Sequence, residues 1–257
     1  GKGVVHCHDR PGFVANRIGI FWMQSGYAAA LESDITIEEA DAVMSRPVGI
    51  PKTGMFGLFD LIGIDLHPKI DASMANLLPA EDAYHSQRCD LSLINQLIET
   101  GYTGRKGKGG FYRLNRADGG KVMEAKNLKT GDYAPVQKVD LDCLKAAKTA
   151  GLSGLLNHPD RGGQFAWRVL SNTLAYAASL VGEVADDIVA IDRAMTFGYA
   201  WNAGPFALID QIGVADFVAK MTSEGRAVSD FLNLAAKVGS FYRTHEGNQQ
   251  YLDVKGD

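Results

Sequence analysis

Gly54-Met55-Phe56-Gly57-Leu58-Phe59-Asp60-Leu61-Ile62-Gly63 is answered, roughly 150 residues later, by Gly204-Pro205-Phe206-Ala207-Leu208-Ile209-Asp210-Gln211-Ile212-Gly213. Two helical packings readily share apolar positions. They do not easily share a whole Gly-x-Phe-x-Leu-x-Asp-x-Ile-Gly run. Working outward at nearly the same offset, Arg17 meets Arg168, Ile18 meets Val169, Glu32 meets Glu183, Asp41 meets Asp192 and Met44 meets Met195. The chain reads as an internal duplication. A first helical unit is expected over 1-113, a ribbon and linker over 114-163, and a second, degenerate helical unit over 164-257.

Periodicity predicts mainly helix within each copy. Val14 to Ser33 contains no proline and carries apolar residues on most faces, which predicts a helix buried nearly all round. Pro11 suits that helix's first turn. Thr36 and Glu39 form a capping-box pattern ahead of Ile37, Ala40 and Val43, and Pro47 and Pro51 end that helix. Met55 to Ile62 reads as a short helix stopped by Gly63. Asp65 is expected to cap another helix through Ile70, Met74 and Leu77. A further helix over Leu91, Ile94 and Leu97 stops at Gly101. Between Gly104 and about Pro135 short alternations predict a small β-ribbon, with Asp118-Gly119-Gly120 as its hairpin turn. Gly151 to Gly163 reads as a turn-rich linker.

Composition narrows the function classes. The 257 residues are 46% hydrophobic and 22% charged, with a net charge of −4, which gives no reason to expect nucleic-acid binding. No apolar run is long enough to span a bilayer. Cys7, Cys89 and Cys143 are odd in number and far apart, which fits a reducing cytoplasm better than a disulfide framework.

Three segments follow one another: Asp9-Arg10-Pro11-Gly12-Phe13-Val14-Ala15-Asn16-Arg17, then Gly49 to Asp65, then Gly104-Arg105-Lys106-Gly107-Lys108-Gly109-Gly110-Phe111-Tyr112. In this order they resemble the C-terminal, substrate-side helical domain of the 3-hydroxyacyl-CoA dehydrogenases of fatty-acid β-oxidation. The third is like that family's G-[KR]-K-x-G-x-G-F-Y. The resemblance spans roughly Pro11 to Tyr112 and, in a second copy, Phe165 to Gly239. It implies an all-α fold of the 6-phosphogluconate dehydrogenase C-terminal-like type. It also implies oxidation of a 3-hydroxyacyl-CoA to a 3-oxoacyl-CoA, with NAD bound by a preceding nucleotide-binding domain. No NAD, other cofactor or metal is expected on this piece, which is expected to be inactive alone. Gly1 at the start fits a piece cut from a longer protein. Tandem copies resemble the longer members, in which an enoyl-CoA hydratase domain is fused.

The same resemblance marks Asn16 as catalytic. An amide there can donate to the developing ketone oxygen and hold the catalytic imidazole of the other half. In the second copy Trp167 stands at that place and cannot supply an amide, so that copy reads as structural. Other candidates are weaker. His6-Cys7-His8 lacks further metal ligands. His85 and Cys89 make only a pair, and His67, His158 and His245 have no triad spacing. Arg105, Lys106 and Lys108 can meet CoA phosphates but read first as a solvated turn. The rival readings are a non-catalytic helical assembly scaffold, and a dehydrogenase for shorter 3-hydroxy acids.

Overall fold

The computed structural model describes residues 3–116 and 120–254. The first copy begins with α1 (Ala15–Glu32), in which every residue from Arg17 to Ala30 is buried, as the pattern requires. Its helix begins later than expected: Pro11 lies in a preceding turn, where Gly12 has φ 77° and Phe13 φ 50°. Next comes α2 (Ile37–Val43), opened by the full capping box. The Thr36 hydroxyl accepts from Glu39 N, and the Glu39 carboxylate accepts from Thr36 N. Then follow α3 (Phe56–Ile62), α4 (His67–Leu77) and α5 (Ser92–Glu99). Gly63, at φ 103°, stops α3 in a conformation that side chains resist. Asp65 does not cap α4; it pairs with Lys106 at 2.6 Å.

The ribbon is β1 (Tyr112–Asn115), β2 (Val122–Lys126) and β3 (Tyr133–Pro135), antiparallel in that order, with Leu114 opposite Met123. Of the expected hairpin turn, Asp118 and Gly119 lie outside the described residues. The expected linker from Gly151 to Gly163 is mostly helix. It closes α6 (Asp142–Leu156), kinked at Gly151, and opens α7 (Arg161–Ser179). Its glycines serve close packing: a Cβ on Gly162 would stand 2.7 Å from Cys143 Sγ, and one on Gly163 2.3 Å from the His158 carbonyl.

The second copy continues with α8 (Ile188–Gly198), α9 (Pro205–Ile212), α10 (Val214–Ser223) and α11 (Asp230–Val238). It ends in a hairpin, β4 (Tyr242–His245) and β5 (Asn248–Tyr251). That hairpin escapes the sequence patterns, although Glu246-Gly247, both at positive φ, is turn chemistry of the mirror-image kind.

Two compact units result. One contains residues 1–22 and 169–257, the other 23–168. The long helices α1 and α7 each give one half to each unit. In the first unit Arg17 pairs with Glu183 at 3.1 Å, and Phe21 stacks on Tyr176 with ring centroids 3.9 Å apart. In the second, Arg168 pairs with Glu32 at 2.5 Å. The arginine of each copy thus meets the glutamate of the other.

Each unit also holds the same carboxylate clasp. Asp41 accepts from Phe56 N at 2.6 Å, Gly57 N at 3.0 Å and Tyr112 Oη at 3.0 Å. Asp192 accepts from Phe206 N at 2.9 Å, Ala207 N at 3.1 Å and Tyr242 Oη at 3.0 Å. Asp60 takes the amides of Phe111 and Tyr112, both at 2.8 Å. Asp210 takes those of Phe241 and Tyr242, at 2.7 and 2.9 Å. Beside them Phe56 meets Phe111 edge-on at 4.8 Å, and Phe206 meets Phe241 at 4.9 Å.

Burial pushes the Asp41 carboxyl up to about 7 and that of Asp60 up to about 6, against the opposing pull of their donors. An unfolded aspartate titrates near about 3.9, so between these values the folded state binds more protons. The contribution of these groups is fully present below the unfolded value and is lost as pH rises through 6 to 7. Asp41→Asn, which stays neutral, should therefore gain stability relative to the native chain between about pH 4.5 and about pH 7.5. Urea unfolding at the two pH values measures it; a constant difference would contradict the raised value.

Candidate functional site

Asn16 lies in the first turn of α1 with its side chain exposed, and among the described residues that side chain has no hydrogen-bond partner. The helix start that carries it is held by its neighbour. Arg17 is 1% exposed; its guanidinium donates to Tyr176 Oη, to the Pro11 carbonyl at 3.3 Å and to Glu183 at 3.1 Å. The chain arrives through His8, whose amide donates to the Val184 carbonyl at 2.8 Å and whose ring meets Asp186 at 3.0 Å.

The second copy builds the opposite wall of this region. A Cβ on Gly198 would stand 2.7 Å from Ala15 Cβ, and one on Gly19 only 1.9 Å from the Tyr199 ring. Ala15 and Gly19 are one turn apart on α1, so the end of α8 runs along the face bordering Asn16. Trp22, farther along that face, packs edge-on against Tyr199 and Trp201 at 6.5 and 5.7 Å. Phe197, at the same end of α8, is 58% exposed, and Phe13 is 57% exposed. Sequence reasoning missed Phe197 and Tyr199 because no motif marks them; contact alone reveals them.

The equivalent start of α7 is closed. Trp167 is buried, and Asp160 accepts from Gly163 N at 2.8 Å and Cys143 N at 2.9 Å. The other sequence candidates are not assembled into a site. His67 is 1% exposed in the core, with Nε2 2.7 Å from Gln24 Oε1, and burial holds its pKa down at about 4. His85 bonds to the Pro79 carbonyl, while Cys89 accepts from Gln24. In the glycine-rich turn Lys106 pairs with Asp65 and Lys108 donates to the Thr100 carbonyl, which leaves Arg105 facing outward. Among the described residues no cluster of three metal-ligating side chains occurs. Both sheets are antiparallel and no strand feeds a helix through a glycine-rich turn, so these residues do not fit a dinucleotide. No helix among them is long and apolar enough to cross a membrane.

Residues 12–114 and 163–238 match the family model of the 3-hydroxyacyl-CoA dehydrogenase, C-terminal domain. The chain belongs to that family. It is 38% identical over 209 residues to a putative fatty acid oxidation complex trifunctional enzyme of Rickettsia prowazekii, covering 81% of this chain and 28% of that protein. It is 31% identical over 261 residues to a probable 3-hydroxyacyl-CoA dehydrogenase of Bacillus subtilis, covering 98% of this chain and 32% of the relative. The chain thus spans less than a third of the length of these curated relatives. Among solved structures, 3-hydroxybutyryl-CoA dehydrogenase of Escherichia coli K12 superposes with a TM-score of 0.61 at 19% identity. That match covers 91% of this chain and 61% of the other, and it speaks for the fold.

The close approach of Tyr199 over Gly19 gives a direct test of this 3-hydroxyacyl-CoA dehydrogenase domain's helix start. Gly19→Ala should destabilise by about 1–3 kcal/mol through overpacking. Tyr199→Ala in the same chain should remove most of that penalty, so a thermal-melting double-mutant cycle should show strong coupling. Additive effects would mean that the two residues do not touch.

Proposed function

We propose that this chain is the substrate-side half of an NAD-dependent 3-hydroxyacyl-CoA dehydrogenase. The reaction is oxidation of a 3-hydroxyacyl-CoA to the 3-oxoacyl-CoA in cytoplasmic fatty-acid oxidation. The nucleotide is carried by another domain of the parent protein, and an enoyl-CoA hydratase domain is its further partner; the printed name of the rickettsial relative, a trifunctional enzyme, favours such a fusion. The divisions 1-113, 114-163 and 164-257 are taken as the record of the duplication.

One observation carries the reading: the two copies share their clasp but differ where chemistry would be. Asn16 is exposed and unpartnered in the first turn of α1, whereas Trp167 is buried in the second turn of α7. The turn before Asn16 also holds a phenylalanine at φ 50°, a conformation costing on the order of 1 kcal/mol that is kept where the surroundings require it. In this role Asn16 donates its amide N–H to the substrate oxygen as it becomes a carbonyl. Phe13 and Phe197 supply apolar surface beside it, and Arg17 fixes the helix start. A pure scaffold would need neither an exposed amide nor the strained turn.

In the full-length enzyme, Asn16→Ala should lower turnover by about 10²–10³ and leave the melting temperature nearly unchanged. Trp167→Ala should do the reverse, costing about 3–5 kcal/mol of stability while each folded molecule keeps its turnover. Near-normal turnover in Asn16→Ala would favour the scaffold.

A further inference from the structure

The unit formed by residues 23–168 carries an open groove of about 1450 Å³ that the dehydrogenase reading does not use. Three of its cations come from three separate segments: Arg46 from the turn after α2, Lys52 from the loop before α3, and Arg105 from the glycine-rich turn. None of the three makes a side-chain hydrogen bond or ion pair among the described residues. They are also out of character for a chain of net charge −4. Further along the groove, Leu114, Met123 and Val136 form an apolar shelf. Leu114 and Met123 are cross-strand partners, and Val136 N donates to the Met123 carbonyl, so adjacent strands set the three side by side. They are 39%, 49% and 39% exposed, an unusual amount for neighbouring large apolar residues.

The duplication supplies a control for the bland reading, in which these cations are merely solvated surface that the fold requires. The second copy keeps the same clasp and the same element order. With Gly54 set on Gly204, Lys52 corresponds to Asn202; with α5 set on α11, the turn that carries Arg105 has no counterpart, because one residue separates Gly239 from Phe241 where nine separate Gly101 from Phe111. At the offset that sets Asp41 on Asp192, Arg46 corresponds to Phe197. The fold forms without any of the three charges, so it does not require them. The segment after β3 and helix α6, which copy two lacks, supply another wall of the groove.

We propose that this groove is a binding site for a soluble phosphate ester joined to an apolar body, with the phosphates at Arg46, Lys52 and Arg105 and the body along the Leu114–Met123–Val136 shelf. Guanidinium and ammonium groups carried into one groove by different segments suit a multiply charged phosphate group. The volume exceeds the about 300–1,000 Å³ of an ordinary small-ligand pocket, as an extended ligand requires. The site does not depend on the role of Asn16.

Calorimetric titration of the whole chain tests it, with geranyl diphosphate as the amphiphilic probe and inorganic pyrophosphate as the charge-only probe. Geranyl diphosphate should bind at least about tenfold more tightly than pyrophosphate, because only it reaches the shelf. The double variant Lys52→Asn/Arg105→Ala changes two exposed side chains and should fold normally. It should weaken both probes by at least about tenfold, while Lys52→Arg/Arg105→Lys retains binding. Should the first variant fold poorly, raising salt from about 0.05 M to about 0.5 M on the native chain must weaken pyrophosphate binding. No binding of geranyl diphosphate at about 1 mM, equal binding by the double variant, or salt-independent affinity would overturn the proposal. So would retention by phosphatidylglycerol vesicles without binding of either soluble probe, which would make the face a membrane contact.

Discussion

The structure depends on a buried carboxylate placed at the start of a helix that it does not belong to. Asp41 sits in α2 and Asp192 in α8, yet each accepts the first free amides of the short apolar helix that follows. Those N–H groups have no partner within their own helix, so the carboxyl oxygens there satisfy them, while burial opposes the charge on the acid. The same helices end with Asp60 and Asp210, which take the paired amides of a Phe-Tyr step. The tyrosine hydroxyl then returns to the first carboxylate. The result is a closed ring of hydrogen bonds around an aromatic pair. Removal of either carboxylate would strand two buried amides, at about 1–3 kcal/mol each. This explains why an acid is tolerated inside each Gly-x-Phe-x-Leu-x-Asp-x-Ile-Gly run. It also explains why a glycine-rich segment ends in Phe-Tyr: Gly110 is so close to Asp60 that its Cβ would lie 2.0 Å from Oδ1.

Because both copies contain the whole ring, their differences separate what folding needs from what it does not. The cap of α2 is a Thr36–Glu39 box, and that of α8 a single Asp187, which accepts from Ala190 N. Either solution serves. The entries to α1 and α7 differ more. The start of α7 is sealed by α6, Asp160 and the ring of Trp167, whereas that of α1 is reached through a left-handed turn and left open to solvent. Within this duplicated fold, the first copy keeps a left-handed entry turn and an exposed Asn16 where the second has the buried Trp167.

Much of this was legible in the sequence, for stated physical reasons. The capping box, the all-round burial of α1 and the glycine stop after Ile62 are local, and local patterns survive folding. The repeat was legible because its matched acid and glycines are not interchangeable with other apolar-helix residues. The misreadings came where one residue type serves two purposes. Gly154, Gly162 and Gly163 were expected to break the chain, but they lie within helices at contacts too close for a side chain. Asp65 looked like a cap and instead holds Lys106. The hairpin after Gly239 went unseen although Phe241-Tyr242 repeats Phe111-Tyr112, because its offset is shorter than that of the earlier matches. The contact that Gly198 and Tyr199 make with Ala15 and Gly19 had no sequence signature, since it arises only when the end of α8 lies along α1.

The reciprocal arginine–glutamate pairs show how unequally the two copies are now held. Both pairs have the same residues at matched positions, but the side chain of Arg17 is fully buried and that of Arg168 is 46% exposed. Arg168 and Glu32, both in contact with water, form an ion pair of the kind worth about 0–1 kcal/mol. Arg17 instead spreads its charge over a phenol, a carbonyl and a carboxylate, with the Tyr176 ring 5.8 Å from its guanidinium carbon. A buried cation with several fixed partners does little for net stability compared with an apolar residue of the same volume, but it admits few alternative geometries. Its partner carbonyl belongs to Pro11, so the same cation that anchors α1 also fixes the strained turn leading into it. The fully buried charge therefore sits one residue from Asn16, and the part-exposed one sits at Arg168, beside the buried Trp167.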